Sequence, residues 1–395
     1  MNHADRLYLD HNASTPLTAA ARRAMFEVLA PGGNASSTHA EGRAMRKHVE
    51  AARAELAALA GVAPKQVVFT SGATEAAALA LSPVMRKASG ELRCSRLFVS
   101  AMEHPCVLAG GRFAPEAVAT IPVTSDGVVD LDALEDLLDA HDSEAGPALV
   151  AIMLANNETG VIQPVREASE IVRRHGALLM VDAVQGLGRL DIAPAELGAD
   201  FVIVSAHKIG GPQGVGALIL GEASLAPVPM FRGGGQENFH RAGTENVAAI
   251  AGFGAAVAGL SHLGGRWDDI SRIRDFIEAG IDTISRQTGM AAPVVFGSRV
   301  ERLANTTCFA QPGISAETAL ISLDLAGIAV SSGSACSSGK VKASHVLEAM
   351  GVSQAIAGSA LRISLGSDST SENAGRFLTA WKDIVGRIAR RVDAA

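Results

Sequence analysis

The chain has 395 residues, 48% of them hydrophobic and 19% charged, with a formal net charge of −7. That balance excludes a disordered chain and argues against a general nucleic-acid binder, which would carry a basic face. No apolar run approaches the ~20 residues that cross a bilayer, and the opening MNHADRLYLDHNAST lacks the basic and apolar regions of a secretory signal. The four cysteines, Cys94, Cys106, Cys308 and Cys336, form neither a CxxC pair nor a zinc-like cluster, so free thiols in a reducing cytoplasm are expected, with no membrane contact.

In chain order, RLYLD near the N-terminus reads as a short strand without a local partner. SSTHAEGRAMRKHVEAARAELAALAG reads as a helix with a Ser/Thr cap, an Ala-rich amphipathic body and a terminal Gly. QVVFT (66–70), RLFVS (96–100), ALVAIMLA (148–155), ALLMVDA (177–183) and DFVIVSA (200–206) are near-continuous apolar runs, the pattern of strands buried on both faces of a parallel sheet. Between ALVAIMLA and ALLMVDA, QPVREASEIVRRHG offers a helix with Pro at its start, basic residues in its last turn and Gly after it. This alternation predicts an α/β doubly wound large domain over residues 17–260. WDDISRIRDFIEAGIDTISRQ then predicts a long helix. Residues 261–395, joined by 1–16, are expected to form a smaller α+β domain. Within it VSSGSACSSGK is too small and polar to pack a core, and a mobile loop at about 331–342 carrying Cys336 is expected.

Ligands of an open parallel sheet bind beyond the carboxyl ends of its strands. There the sequence places SGATE, a small-residue turn opening a helix and a ready anion cradle with Thr74. It also places Asn156 in NNETG, Asp182 and Gln185 in VDAVQ, and Ser205, His207 and Lys208 in SAHK. Singly each has a bland reading as a turn, cap or solvated residue. Together an anion cradle, a carboxylate and a lysine match the needs of pyridoxal 5′-phosphate: a phosphate site, a partner for the ring nitrogen and an amine for the aldehyde. No GxGxxG follows a strand to open a helix, and no GxxxxGK[ST] occurs.

From YLDHNAST to ALRISLG, through GNASSTHAEGR, VVFTSGATE, EHPCVL, NNETG, VDAVQ, SAHKIGGPQGVG, GGGQE, RAGTEN and VSSGSAC, the chain resembles the NifS/IscS-type cysteine desulfurases. These form part of the class V branch of fold-type I pyridoxal phosphate enzymes. The resemblance implies that fold, with a mostly parallel sheet sandwiched by helices, and conversion of L-cysteine to L-alanine with sulfur transferred as a persulfide to Cys336. It assigns Lys208 as the lysine that carries the cofactor, Asp182 to the ring nitrogen, and Gln185, helped by Asn156, to the ring oxygen. The backbone of Ala73, with Thr74, Ser205 and His207, would hold the phosphate. His104 would stack on the ring and relay protons. Thr244 would reach the phosphate of a neighbouring subunit, implying a homodimer with shared sites. Arg362 would bind the substrate carboxylate, with Asn34 and Asn156 assisting. No resident metal is implied; Cys336 would meet an iron–sulfur centre only during transfer. The partner would be a sulfur-acceptor protein, an iron–sulfur scaffold or a carrier for thio-cofactor synthesis or tRNA thiolation. Another class V reaction, selenocysteine lyase or aminotransferase, is the alternative. The chain departs from the family pattern at Ala35, Ala76, Ala77, Ala78, Gly210 and Gln213.

Overall fold

The computed structural model describes residues 6–332 and 344–393; Cys336 and the rest of the expected loop from 333 on lie outside them. Seven strands make the central sheet. They are β1 (Val67–Thr70), β2 (Arg96–Ser100), β3 (Val118–Ile121), β4 (Ala148–Met153), β5 (Leu178–Asp182), β6 (Phe201–Ser205) and β7 (Gly216–Leu220). Their order is β1-β7-β6-β5-β4-β2-β3. The apolar runs fold as β1, β2, β4, β5 and β6, and every residue of β1, β4, β5 and β6 is buried. Alternation divides them between two faces: Val67 and Phe69 join one core and Val68 the other. The strands from β2 to β6 run parallel, whereas β7 is antiparallel to both β1 and β6.

Two strands of this sheet escaped the sequence reading. β3 is a half-exposed edge strand without clean alternation, and β7 lies hidden in the glycine-rich GPQGVGALIL. The helix Ala40–Leu59 forms as expected, but its cap differs. His39 Nδ1, not a Ser or Thr hydroxyl, accepts the Gly42 N–H at 3.3 Å. Gly61 follows its end at φ +65°, and Gly176 follows the helix Val165–Arg174 at φ +62°.

A further core gathers between the long helices Arg266–Gln287 and Ser371–Asp393 and a small antiparallel sheet. Its strands are β8 (Val294–Val295), β9 (Thr306–Ala310) and β10 (Ala360–Ser364). Trp381 stacks on Phe377 at 6.2 Å and meets Phe309 edge-on at 5.4 Å. The N-terminal strand Leu7–Tyr8 pairs in parallel with Ile328–Ala329, so Leu7 and Leu9 add to this core. No single helix among the described residues is long and apolar enough to cross a membrane.

Candidate active site

A cavity of about 700 Å³ opens where the sheet's connecting loops meet β10. On one side the chain leaves β1 through Ser71 and Gly72 into the helix Ala73–Ala80, whose first turn no side chain caps. Its free N–H groups and positive dipole end make an anion cradle, with Thr74, Ser205 and His207 also lining the cavity. The close approach of this turn to β7 depends on Gly216. A Cβ there would fall 2.7 Å from Gly72 C, 2.9 Å from Ala73 N and 2.6 Å from Val204 O. Ala76 and Ala77, behind the turn, are packed into the core, which explains small side chains at those positions.

Asp182 ends β5 at the cavity floor and is only 6% exposed. Val184 N–H donates to its Oδ1 at 2.9 Å. Burial raises its pKa to about 6, against the opposing pull of that bond and of Lys208. Lys208 follows β6 in a single turn of 3-10 helix, Ala206–Lys208. Its Nζ donates to Asn12 O at 2.6 Å and to Ala13 O at 2.9 Å. Burial, with the charges of Arg362 and Arg189, lowers its pKa to about 8. The same N-terminal segment grips this turn from outside, Thr15 N–H donating to His207 O at 2.8 Å and Thr18 N–H to Gly210 O at 2.9 Å. Gly210 sits at φ +79°, and a Cβ there would meet Thr18 Cγ2 at 2.6 Å. The departure from larger family residues at 210 thus has a local steric cause. Burial and the Lys208 charge lower the His207 pKa to about 4, so this ring is neutral.

His104 faces the cavity after β2. Its Nδ1 accepts the Cys106 N–H at 3.3 Å and lies 3.0 Å from Cys106 Sγ. An accepting Nδ1 leaves Nε2 as the protonated nitrogen of the neutral ring. Burial, then Lys208 and His345, lowers its pKa. Cys106 lines the same wall, its thiol pushed up to about 12 by burial and Asp182. Arg362 on β10 donates from Nη2 to Asp10 Oδ1 at 2.6 Å and from Nη1 to Asn157 O at 3.1 Å. Its buried Nε has no partner, and Nη1 and Nη2 each keep a second N–H beyond these two bonds. The Arg362 side chain is buried, so its pairing with Asp10 is not a surface ion pair.

Other expected groups lie elsewhere. Asn156 is fully buried and spent. Its Nδ2 donates to Met102 O and Met153 Sδ, while its Oδ1 accepts from Glu158 N, Thr159 N and Thr159 Oγ1. The wall at this point is made by Asn157 and Glu158 instead, so the expectation of Asn156 as a cofactor or substrate contact is corrected: its polar atoms clasp the loop. Asn34 is exposed, outside the cavity, and caps Ser36 N–H. Thr244 is likewise exposed and outside its own chain's cavity. The sequence reading missed Asn12, Glu103 and Glu158. Glu103 is fully buried, with Oε1 accepting Met153 N–H at 2.6 Å and Oε2 unpartnered; burial and Asp182 raise its pKa well above the usual range. Glu158 accepts from Ser344 Oγ at the far stem of the Cys336 segment. Among the described residues no cluster of His, Cys, Asp and Glu could hold a metal.

The donor set fits pyridoxal phosphate: an uncapped helix start for a dianion, a buried carboxylate that can share a proton, and a lysine of lowered pKa in one cavity.

Residues 7–377 match the family model described as aminotransferase class-V. A cysteine desulfurase of Frankia sp. (strain EuIK1) is 39% identical, covering 98% of this chain and 92% of its own. An IscS-like cysteine desulfurase of Mycobacterium tuberculosis is 37% identical, covering 98% of each. Among solved structures, a NifS-like protein from Rickettsia africae ESF-5 superposes with a TM-score of 0.83 at 34% identity, covering 96% of this chain and 99% of that one.

Proposed function

The chain belongs to the aminotransferase class-V family and is a cysteine desulfurase, and we propose that it converts L-cysteine to L-alanine while leaving the sulfur on Cys336 as a persulfide. The observation that carries this reading is the meeting of Lys208, Asp182 and an uncapped helix start in one cavity. Pyridoxal phosphate, bound there, supplies an electron sink for bonds at Cα and Cβ of the amino acid. Ala73 N–H, Thr74, Ser205 and His207 hold its phosphate. Asp182 holds a proton at its ring nitrogen, Gln185 donates to its ring oxygen, and His104 serves as its stacking partner.

Lys208, with a pKa of about 8, is unprotonated in a useful fraction near neutral pH and takes the Cα proton. Arg362, which lines the cavity, binds the substrate carboxylate through guanidinium N–H groups that Asp10 and Asn157 leave free. The Cβ–S bond then breaks as an S–S bond forms to Cys336, and Cβ gains the proton that the Cys336 thiol gives up, with His104 as the relay. Cysteine plus the Cys336 thiol becomes alanine plus the Cys336 persulfide, with no outside oxidant or reductant.

The exposed side chains Phe231 and Phe239, in the segment leading to Thr244, support a homodimer in which Thr244 serves the partner's phosphate site. The core on the central sheet and the core between the long helices support a large domain over 17–260 and a small one over 1–16 and 261–395, with Met102 and Met153 packing against small-domain residues where the two meet. The free thiols Cys94, Cys106 and Cys308 accord with the cytoplasm, and the product sulfur passes to an acceptor protein of the iron–sulfur or thiolation class.

Given sulfur-labelled L-cysteine and pyridoxal phosphate, the protein should release alanine and carry label on the peptide containing Cys336. Catalytic alanine release by Cys336→Ala would rule out the persulfide route. A wild-type chain that takes up no pyridoxal phosphate would rule out the whole reading.

A further inference from the structure

Behind Gln185 stands Arg189, a cation with no carboxylate partner among the described residues. Its Nη1 donates to Gln185 O at 2.9 Å and to Gln185 Oε1 at 3.0 Å. Its guanidinium lies over the Trp267 ring, 5.7 Å from the centroid. Trp267 belongs to the long helix Arg266–Gln287 and is itself fixed, Nε1 donating to Gly188 O at 2.8 Å. Arg189 Nε is buried without a partner.

Arginine only donates. The Gln185 atom that meets Arg189 must therefore be the carbonyl oxygen, and the amide nitrogen must lie on the other side. There Gln185 Nε2 donates to Asn12 O at 3.0 Å, the carbonyl that also accepts from Lys208 Nζ. One N–H of that amide has no acceptor among the described residues, and Gln185 lines the cavity. A flipped amide would turn its oxygen on the Asn12 carbonyl and its nitrogen on the guanidinium, two repulsive contacts in place of two bonds.

We propose that Arg189 is a positioning residue that locks the Gln185 amide with its NH2 group toward the cavity, and that it does so from a seat on Trp267. Gln185 thus meets the cavity as a donor only. An acceptor is what it suits: a phenolate oxygen at that point of the wall. The inference rests on the cysteine desulfurase reading for the identity of that oxygen, not for the orientation of the amide. It also ties the site to the second core, because the helix carrying Trp267 packs there.

A double-mutant cycle on pyridoxal phosphate affinity, read by quenching of protein fluorescence, tests the route of action. Arg189→Met should weaken binding about fivefold to tenfold, the worth of one hydrogen bond. In a Gln185→Leu background the same change should cost clearly less, leaving only the effect of the lost charge on Lys208. Equal weakening in both backgrounds, as loss of the arginine charge alone would give, overturns the proposal. If Arg189→Met does not fold, Arg189→Lys, which keeps the charge but not the fork, enters the same cycle with a smaller expected loss. Neutron diffraction from the cofactor-free wild type gives a second readout that needs no cofactor. Deuterons on the Gln185 atom nearer Asn12 O support the proposal, and deuterons on the atom nearer Arg189 overturn it. Failure of the wild type to bind pyridoxal phosphate strikes the functional reading, while the neutron result still decides the amide.

Discussion

His11 illustrates how one side chain ties stability to pH. It is 5% exposed, its Nδ1 has no partner, and burial lowers its pKa to about 4, against the pull of Asp368 and Asp10 and with the push of Arg189. The unfolded chain binds a proton on this ring below about 6.5, which the folded chain refuses until about 4. Stability therefore falls as pH drops through that window, by roughly 3 kcal/mol for this ring. His207 acts in the same sense. Asp182 opposes them, since its folded carboxyl keeps up to about pH 6 a proton that the unfolded one has already lost. In urea titrations of the cofactor-free protein between pH 7 and 4.5, His11→Asn should flatten the acid decline, and an unchanged slope would count against this account. A different residue-scale device holds the turn before Thr244. Glu237, Asn238 and Phe239 all take positive φ, at 47°, 52° and 65°, a strained run for side chains with a Cβ. The buried Arg53 fork on Glu237, at 2.7 and 2.8 Å, and the Phe69 N–H at 2.8 Å hold it in place.

At the scale of elements, β7 is the strand on which the site depends most closely. Its first residue, Gly216, lets the Ser71–Thr74 turn lie close to β7. Gly216→Ala must push backbone atoms apart, for a cost of about 1–3 kcal/mol in overpacking. Pyridoxal phosphate affinity should drop at least fivefold, while the far-UV spectrum keeps its helix and strand content; titration of the cofactor-free variant checks this. Affinity equal to wild type would show that the turn does not hold the phosphate. β7 was also the strand least legible in the sequence, because glycines break the apolar run that revealed β4, β5 and β6. Buried runs of five or six residues speak for themselves, and so does a motif such as SAHK. A backbone carbonyl does not. Asn12 and Ala13 hold Lys208 through main-chain oxygens that any residue type could supply, so no pattern marked them. Asn156 misled for the opposite reason: its side chain suits a ligand, yet the NNETG turn uses every polar atom of it. Arg189 was silent because its partner is an amide rather than a carboxylate.

For the molecule as a whole, Phe231 precedes the strained turn and Phe239 ends it, and both are exposed apolar side chains (49% and 68% exposed) in the segment leading to Thr244. Covering these side chains by a second copy is the assembly-scale expectation. Phe239→Asp should shift sedimentation toward the monomer and lower pyridoxal phosphate affinity in step, since Thr244 would then serve no partner. Dissociation without loss of cofactor affinity would separate the two ideas. The N-terminal strap has a consequence for synthesis. Leu7 is anchored by Ile328, and a few residues beyond it Asn12 and Ala13 hold Lys208. During synthesis this segment precedes the sheet from β1 to β7 and its anchor Ile328 follows it, so the sheet can fold between the two. A nascent chain can thus own the lysine, the carboxylate and the anion cradle, yet lack the fixed carbonyls that orient the amine. Chains that stop before Ile328 would lack that anchor for the carbonyls around Lys208, so fragments released at that stage would bring no sulfur chemistry into the cell.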